Sequence, residues 1–260
     1  MQQARAVARS AEFPPCFKSL SFVERETNFG LARSIVEGVS AKLRKSETII
    51  VLEDDMVTAK HFLDFINGGL VAYASAPQVM CVHGYAYPID PAGLPETYFL
   101  RGADCWGWGT WRRAWAHFNP DGRALLDRLR RAGMASAFDV DDSYAFMQML
   151  EQQIAGKNDS WAIRWRASAY LKGGLTLYPR ESLVRNIGFD GSGTHSGTSD
   201  FYDVDLTPAS PPIRAQPLEQ NPMAYERLVR YFRSRAAPAN TSQKLKRFLQ
   251  GSLKRLGVSG

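Results

Sequence analysis

The sequence has little cysteine and no long apolar run. Its three cysteines, Cys16, Cys81 and Cys105, are widely spaced, so they form neither a disulfide framework nor a zinc-binding pattern. No stretch of about 18 apolar residues is present, which argues against a helix that crosses a bilayer. The first 15 residues lack the apolar core of a signal peptide. These absences predict a protein of a reducing, cytoplasmic compartment.

Charge of one sign is not in strong excess either. Lys and Arg number 32 against 26 for Asp and Glu, which gives a net charge of +6. This modest excess suits ligands that carry phosphate, or an anionic membrane surface, and does not indicate nucleic acid. A chain of 260 residues, of which 45% are hydrophobic and 12% aromatic, is long enough for one large domain or two small ones.

Helical and strand-like patterns alternate along most of the chain. The pattern predicts helices over 31–43, 60–76 and 158–171, and strands over 19–23, 48–52, 79–84 and 175–178. Such alternation predicts an α/β fold with a mostly parallel sheet flanked by helices. We expect this domain to occupy residues 1–206, followed by a Pro-rich extension over 207–240 that leaves the core.

The most informative motif is an apolar strand that runs into three acids, Glu53, Asp54 and Asp55. Ligands of open α/β sheets bind at the edge where the strands end. Adjacent carboxylates repel one another unless a cation or a proton relieves them, and a hard divalent metal, Mn²⁺ or Mg²⁺, prefers oxygen ligands. We expect Asp55 to bind the metal, Asp54 to face a nucleotide sugar and Glu53 to orient its neighbours. The alternative is a solvated loop.

Residues 99–111 place three tryptophans among glycines, and we call this stretch the Trp-Gly segment. The glycines favour a surface that a ligand approaches closely, and flat indole faces stack on the apolar faces of sugars. Trp106 and Trp108 are therefore predicted to contact a sugar, although each could instead belong to the core. Asp104 is predicted to accept hydrogen bonds from substrate hydroxyls, or to cap a turn.

Three further segments carry candidate residues. Asp159 precedes a predicted helix, where it is either an N-cap or a general base. His195 follows a Gly-Ser-Gly run, so it could supply an imidazole ligand to a metal or close over a phosphate, or it could be an ordinary surface residue. Residues 241–260 have the pattern of a basic amphipathic tail, which either lies on the inner face of a membrane, packs on the domain or contacts a partner.

The order of these motifs resembles a known family. Residues 28–33, Val51 to Asp55, the Trp-Gly segment and residues 158–161 together resemble bacterial glycosyltransferases of the GT-A fold, near the large inverting family 2. The acidic motif also resembles that of the N-acetylglucosaminyltransferase I family. The resemblance covers roughly residues 17–195 and implies a Rossmann-like, GT-A-like sheet. The sequence shows no counterpart of the first β-α-β unit of that fold, so we expect an N-terminally truncated version.

The resemblance implies a role for each candidate. Arg33, Glu53, Asp54 and Asp55 would bind the nucleotide-sugar donor, with Asp55 and His195 at the metal. Asp159 would be the catalytic base, although Asn158 replaces the Glu usual at the preceding position. Asp104, Trp106 and Trp108 would hold the acceptor.

The implied activity is metal-dependent, inverting transfer of a sugar from a nucleoside-diphosphate donor, with UDP favoured. The acceptor would be a hydroxyl of a surface glycan or of a lipid-linked precursor. Two alternatives remain open at this point, namely an inactive remnant that binds glycan or membrane, and a metal-dependent phosphohydrolase.

Overall fold

The structure is a computed structural model that describes residues 18–189 and 200–235. Contacts divide the chain into two compact units, residues 1–30 and 31–260. In the described part of the first unit, residues 18–30, the backbone forms no helix or strand, so the strand predicted over 19–23 is wrong. Within that unit Asn28 accepts a hydrogen bond from the N–H of Gly30 (2.9 Å), which forms a local turn.

The second unit is an α/β structure. Its described residues contain seven strands: β1 (Thr48–Val51), β2 (Met56–Thr58), β3 (Val79–His83), β4 (Thr97–Arg101), β5 (Trp108–Trp111), β6 (Leu175–Pro179) and β7 (Val184–Asn186). They also contain eight helices: α1 (Leu31–Leu43), α2 (Phe62–Ala72), α3 (Arg112–Trp115), α4 (Gly122–Arg131), α5 (Ala135–Phe138), α6 (Phe146–Ile154), α7 (Trp161–Tyr170) and α8 (Pro222–Arg235).

The central sheet has five strands in the order β1-β5-β3-β6-β4, while β2 and β7 form a separate antiparallel ribbon. Of the four pairings in the central sheet, β3 with β6 is parallel and the other three are antiparallel. The expected mostly parallel sheet is therefore wrong, and the sheet is mixed. Nevertheless β1, β3 and β6 run in the same direction and end at one edge, where β5 begins. We call this the carboxyl edge.

Helices cover both faces of the sheet. Trp108 and Trp111 are three positions apart in β5, so their side chains face opposite sides. Trp111 donates its indole N–H to the carbonyl oxygen of Leu70 in α2 (3.0 Å). Trp108 stacks on Trp161 of α7, with ring centroids 5.4 Å apart. The sheet is thus flanked by helices, as the alternating pattern predicted.

Side-chain caps fix where two helices begin. Asp121 accepts a hydrogen bond from the N–H of Ala124 (3.0 Å) at the start of α4. Ser160 does the same for the N–H of Ile163 (3.2 Å) at the start of α7. Because Ser160 caps α7, the N-cap role considered for Asp159 belongs to its neighbour.

The last described helix, α8, lies within the predicted Pro-rich extension. Asn221 caps it by accepting a hydrogen bond from the N–H of Ala224 (2.9 Å), and Pro222 occupies the first helical position, where its missing N–H is not needed. Its buried face is Ala224, Leu228, Val229 and Phe232, which join a core cluster with residues of β4, β6 and α4 to α7. The prediction that the chain leaves the core is therefore wrong for residues 222–235.

No helix within residues 18–189 and 200–235 combines the length and the apolar character needed to cross a membrane. The predicted tail, residues 241–260, lies outside the described residues.

Candidate functional site

Three acids follow β1 at the carboxyl edge, as the apolar run before them predicted. We call Glu53, Asp54 and Asp55 the acid triplet. The chain turns through them, since the N–H of Met56 bonds to the carbonyl oxygen of Glu53 (3.2 Å), and then enters the ribbon strand β2. The strand thus presents its acids at the edge where α/β sheets bind ligands.

Asp55 is held by the other ribbon strand and the residues after it. The N–H of Ile187 bonds to the backbone carbonyl of Asp55 (2.9 Å), and the side chain of Asn186 lowers the pKa of the Asp55 carboxyl. A Cβ added to Gly188 would lie 2.5 Å from the Oδ2 of Asp55, so glycine permits this close approach. Oδ1 of Asp55 is buried and has no hydrogen-bond partner among the described residues. A buried carboxylate oxygen left in this way is costly unless a ligand completes it.

The acid triplet carries more negative charge than its surroundings offset. Burial raises the pKa of Glu53 to about 7, and the charges of Asp55 and Asp54 add to this effect. Burial also raises the pKa of Asp55, as does Asp54, while hydrogen bonds from a backbone N–H and from Asn186 lower it. Carboxyl groups that resist ionisation at the end of a strand indicate a place where a cation would be favourable.

A divalent cation fits these residues in a limited way. Within residues 18–189 and 200–235, no three His, Cys, Asp or Glu side chains converge to form a complete metal cage. Mg²⁺ and similar ions are, however, commonly held by one or two carboxylates together with substrate phosphates. The unpaired Oδ1 of Asp55 and the raised pKa of Glu53 suit that second arrangement.

A cavity of about 130 Å³ is lined in part by Asp104, Cys105 and Trp106 of the Trp-Gly segment. Aromatic side chains form much of its wall: Tyr85, Tyr87, Trp106, Tyr144, Phe146, Tyr202 and Phe232. We call it the aromatic cavity. Cys105 also lines it, and burial together with the charges of Glu53, Asp104 and Asp55 raises the pKa of that thiol. The charges of Glu53 and Asp55 thus act on a thiol in the cavity wall, which indicates that the acid triplet lies near the cavity.

Asp104 and Arg166 are the charged groups of the aromatic cavity. Asp104 accepts hydrogen bonds from the hydroxyls of Tyr87 (2.9 Å) and Tyr178. A guanidinium nitrogen of Arg166 lies 3.4 Å from the other carboxylate oxygen, and the two side chains are only 15% and 8% exposed. Arg166 also lies over the ring of Phe146, 3.9 Å from its centroid. The pair is therefore a buried ion pair that opens into a cavity.

His83 holds the backbone of the Trp-Gly segment at Trp106. Its Nε2 accepts a hydrogen bond from the N–H of Trp106 (3.0 Å), which requires an unprotonated nitrogen. Burial lowers the pKa of His83 to about 4, so the ring is neutral at physiological pH. This bond orients the residue that follows Asp104 and Cys105 in the cavity wall.

The structure brings some predicted residues together and separates others. Glu53, Asp54 and Asp55 meet at the carboxyl edge, and Asp104 and Trp106 line the aromatic cavity. Trp108, two residues later, is fully buried, and tryptophans of α3 and α7 surround it. The structure corrects the expectation that Trp108 contacts a sugar, because its ring faces are occupied by the core.

Two other predicted residues lie on or beside α1. The carboxylate of Asp159 accepts a hydrogen bond from the N–H of Ala32 (3.2 Å), in the first turn of α1, where an N–H has no partner within the helix. Asp159 does not line the aromatic cavity. Arg33 is exposed and pairs with Glu37 one turn further along α1 (2.6 Å). His195 lies outside the described residues.

Sequence reasoning missed the aromatic wall of the cavity and the residues that position Asp104 and Trp106, namely His83, Tyr87, Arg166 and Tyr178. One signal could have revealed Arg166. It is the single charge in the stretch from Trp165 to Tyr170 of α7, and the other members of that stretch are all buried. A charge in a helix segment buried all round requires a buried partner.

A scan against models of protein families and a search of curated proteins each find no match for this chain. The function must therefore be argued from the site itself.

The raised pKa of Glu53 predicts a measurable pH dependence of stability. Between about pH 4.5 and 7 the folded state holds a proton that the unfolded state releases, so stability falls as pH rises through this window. Glu53→Gln removes this loss and should stabilise the protein at pH 8 by about 1–2 kcal/mol, with part of the shift discounted for solvent exposure. At pH 4 the substitution should change little.

Urea unfolding at both pH values, without divalent cations, checks this expectation. Glu219→Gln is the matched control, since Glu219 is an exposed glutamate outside the site. An equal stabilisation by both variants at pH 8 would contradict the electrostatic account of the acid triplet.

Proposed function

We propose that this chain is a metal-dependent inverting glycosyltransferase of the GT-A type. It moves a sugar from a nucleoside-diphosphate donor, with UDP favoured, to a hydroxyl of a surface-glycan or lipid-linked acceptor. One observation carries the proposal: an apolar strand delivers three carboxylates to the edge of a sheet, and their charges act on the wall of an aromatic cavity that holds a largely buried acid. The first feature suits a metal-bridged diphosphate, and the second suits a sugar.

The acid triplet serves the donor end of this reaction. Asp55 would hold a divalent cation, Mn²⁺ or Mg²⁺, with Glu53 close enough to share its charge. When bound, such a cation neutralises the charge that develops on the departing diphosphate. Gly188 keeps backbone close to Asp55, so the carboxylate has little freedom to turn away from the donor.

Asp104 serves the acceptor end. The oxygen of an acceptor hydroxyl attacks the anomeric carbon, the bond from that carbon to the diphosphate breaks, and the hydroxyl proton passes to a carboxylate. Among the described residues that line the cavity, Asp104 is the carboxylate placed to receive it. Tyr87, Tyr178 and Arg166 fix its position. Asp159, which the resemblance favours for this role, is engaged by Ala32 instead.

A transfer assay tests the proposal. The full chain is incubated with a panel of UDP-, GDP- and dTDP-sugars and lipid-linked or glycan acceptors, with Mn²⁺ or Mg²⁺ or with a chelator, and products are detected by mass. We expect transfer that needs the cation. Asp104→Asn should lower its rate about 100-fold or more, which is the upper range for a general base, whereas Asp159→Asn should lower it less than tenfold.

The other outcomes separate the alternatives. Phosphate or nucleotide release without any acceptor would replace the proposal with a phosphohydrolase. Failure of the folded protein to bind UDP with Mn²⁺ in calorimetry would indicate a remnant. Equal losses of transfer rate in the Asp104 and Asp159 variants would contradict the assignment of Asp104 as the base and favour Asp159, the residue that the resemblance implies.

A further inference from the structure

The aromatic cavity has the size of one six-membered ring. Its volume of about 130 Å³ is close to that of the ~150 Å³ engineered cavity that takes up a single benzene molecule. Tyr85, Trp106 and Tyr202 form one wall, with Trp106 edge-to-face to both tyrosines at 4.9 Å. Aromatic edges and faces of this kind pack against the C–H groups of a sugar ring.

The charged side chains at the polar end of the cavity keep hydrogen-bonding capacity that the described residues do not satisfy. Arg166 is only 7% exposed. Its hydrogen bond to Asp104 is nevertheless long, at 3.4 Å, and its Nε has no hydrogen-bond partner among the described residues. The Asp104 oxygen that faces Arg166 has this one long contact, because the tyrosine hydroxyls bond to the other oxygen. A hydroxyl group accepts one hydrogen bond and donates another, so ligand hydroxyls could satisfy both side chains at once.

The charges of the cavity select against an anionic ligand. The charges of Asp104 and Arg166 cancel, so an uncharged sugar ring leaves the net charge of the cavity at zero. A carboxylate or phosphate on the ring would leave one uncompensated negative charge there, near Asp104 itself. The acid triplet, whose charges already reach Cys105 in the cavity wall, would add to the repulsion. Rejection by like charge is an effective source of specificity.

We propose that the aromatic cavity is a subsite for one uncharged sugar ring, whose hydroxyls bind to Asp104 and Arg166, and that this pair excludes uronic acids and phosphorylated sugars. The assignment of that ring to the acceptor end rests on the proposed function; the binding of the ring does not. The Asp104–Arg166 pair is thus a specificity determinant as well as a means of holding the base.

The test measures binding without nucleotide or metal, so that it is independent of transfer. Saturation-transfer NMR is recorded on the full chain with methyl glycosides of glucose, galactose, mannose and N-acetylglucosamine, and with the methyl glycosides of glucuronic and galacturonic acid. We expect saturable binding of at least one neutral glycoside and at least tenfold weaker binding of its uronic acid counterpart. Binding without transfer would leave this inference standing while the proposed function fails.

Two substitutions sharpen the test. Asp104→Asn leaves the cavity with the charge of Arg166, so it should reverse the preference and bind the uronic acid at least tenfold better than the unaltered protein does. Such a gain cannot result from unfolding. Arg166→Met should abolish binding of the neutral ring, whereas Arg164→Met, two positions along α7 with its guanidinium bonded to the carbonyl oxygens of Ser160 and Pro120, should not.

Three results would overturn the inference: no saturable binding of any neutral glycoside, uronic acids that bind as well as their neutral counterparts, or equal effects of the two arginine substitutions. The first two use the unaltered chain, so they decide the question even if Arg166→Met does not fold.

Discussion

Trp108→Ala is expected to destabilise the protein by about 3–5 kcal/mol, the range for truncating a large buried aromatic side chain. Trp108 is fully buried in β5, and its ring lies 5.4–6.2 Å from those of Trp115, Trp161 and Trp165. Alanine would remove the centre of this cluster and leave a cavity between the sheet and α7. For a domain of this size the midpoint of thermal unfolding should fall by about 10 °C.

Trp106→Ala is the matched control for this prediction. The same two residue types are exchanged two positions away, but Trp106 is half-buried in the wall of the aromatic cavity. We expect a loss of only about 1–2 kcal/mol, together with loss of sugar binding. Thermal unfolding of both variants, followed by circular dichroism, measures the difference. A similar midpoint for the two variants would mean that the core assignment of Trp108 is incorrect.

These two tryptophans show where sequence reasoning reaches its limit. Each is followed by a glycine, so their local sequence is nearly the same. Their environments differ because β5 begins at Trp108, between β1 and β3, whereas Trp106 lies before that strand. Strand pairing between segments far apart in the chain decides which tryptophan is buried. The four residues of β5 have no alternating pattern from which that pairing could be predicted.

The acid triplet was predictable for the opposite reason. Its signal is local, since the four residues from Ile49 to Leu52 are apolar and the carboxylates follow them directly. No pairing partner has to be known to place them at the end of a strand. The direction of the neighbouring strands does require such knowledge, because β4 and β5 run against β1, β3 and β6. The sequence pattern thus predicted the α/β class and the location of the acids but not the mixed sheet.

The buried ion pair depends on contacts at still longer range. Asp104 was a candidate because it belongs to the Trp-Gly segment, but its partners Tyr87, Tyr178 and Arg166 lie 17, 74 and 62 residues away. Each is unremarkable in its local sequence except Arg166, which interrupts a buried stretch of α7. The chemistry that distinguishes a neutral ring from a charged one arises only when these segments meet on the sheet.

Asp55→Asn is expected to lower the rate of sugar transfer by about 10²–10³-fold, because it weakens the hold on the cation that would neutralise the charge developing on the diphosphate. The substitution preserves the size of the side chain and its position beside Gly188 and Asn186, but it removes the charge on the buried, unpartnered Oδ1. In the absence of a cation the same change should stabilise the fold at pH 8, because it removes repulsion from Glu53. Lost activity with gained stability is the pattern expected of a carboxylate kept for function.

Asp54→Asn provides the control, since it removes the same charge from an adjacent, exposed position. We expect it mainly to raise the KM for the donor, by less than tenfold, with kcat nearly unchanged. Steady-state kinetics for both variants are combined with calorimetric titration of UDP in the presence of Mn²⁺, where Asp55→Asn should lose the cation-dependent part of the affinity. Full activity and unchanged UDP affinity in the Asp55 variant would contradict the hypothesis that a cation binds at this edge of the sheet. No neighbouring described carboxylate could take over from Asp55, because none has an oxygen that is both buried and without a hydrogen-bond partner.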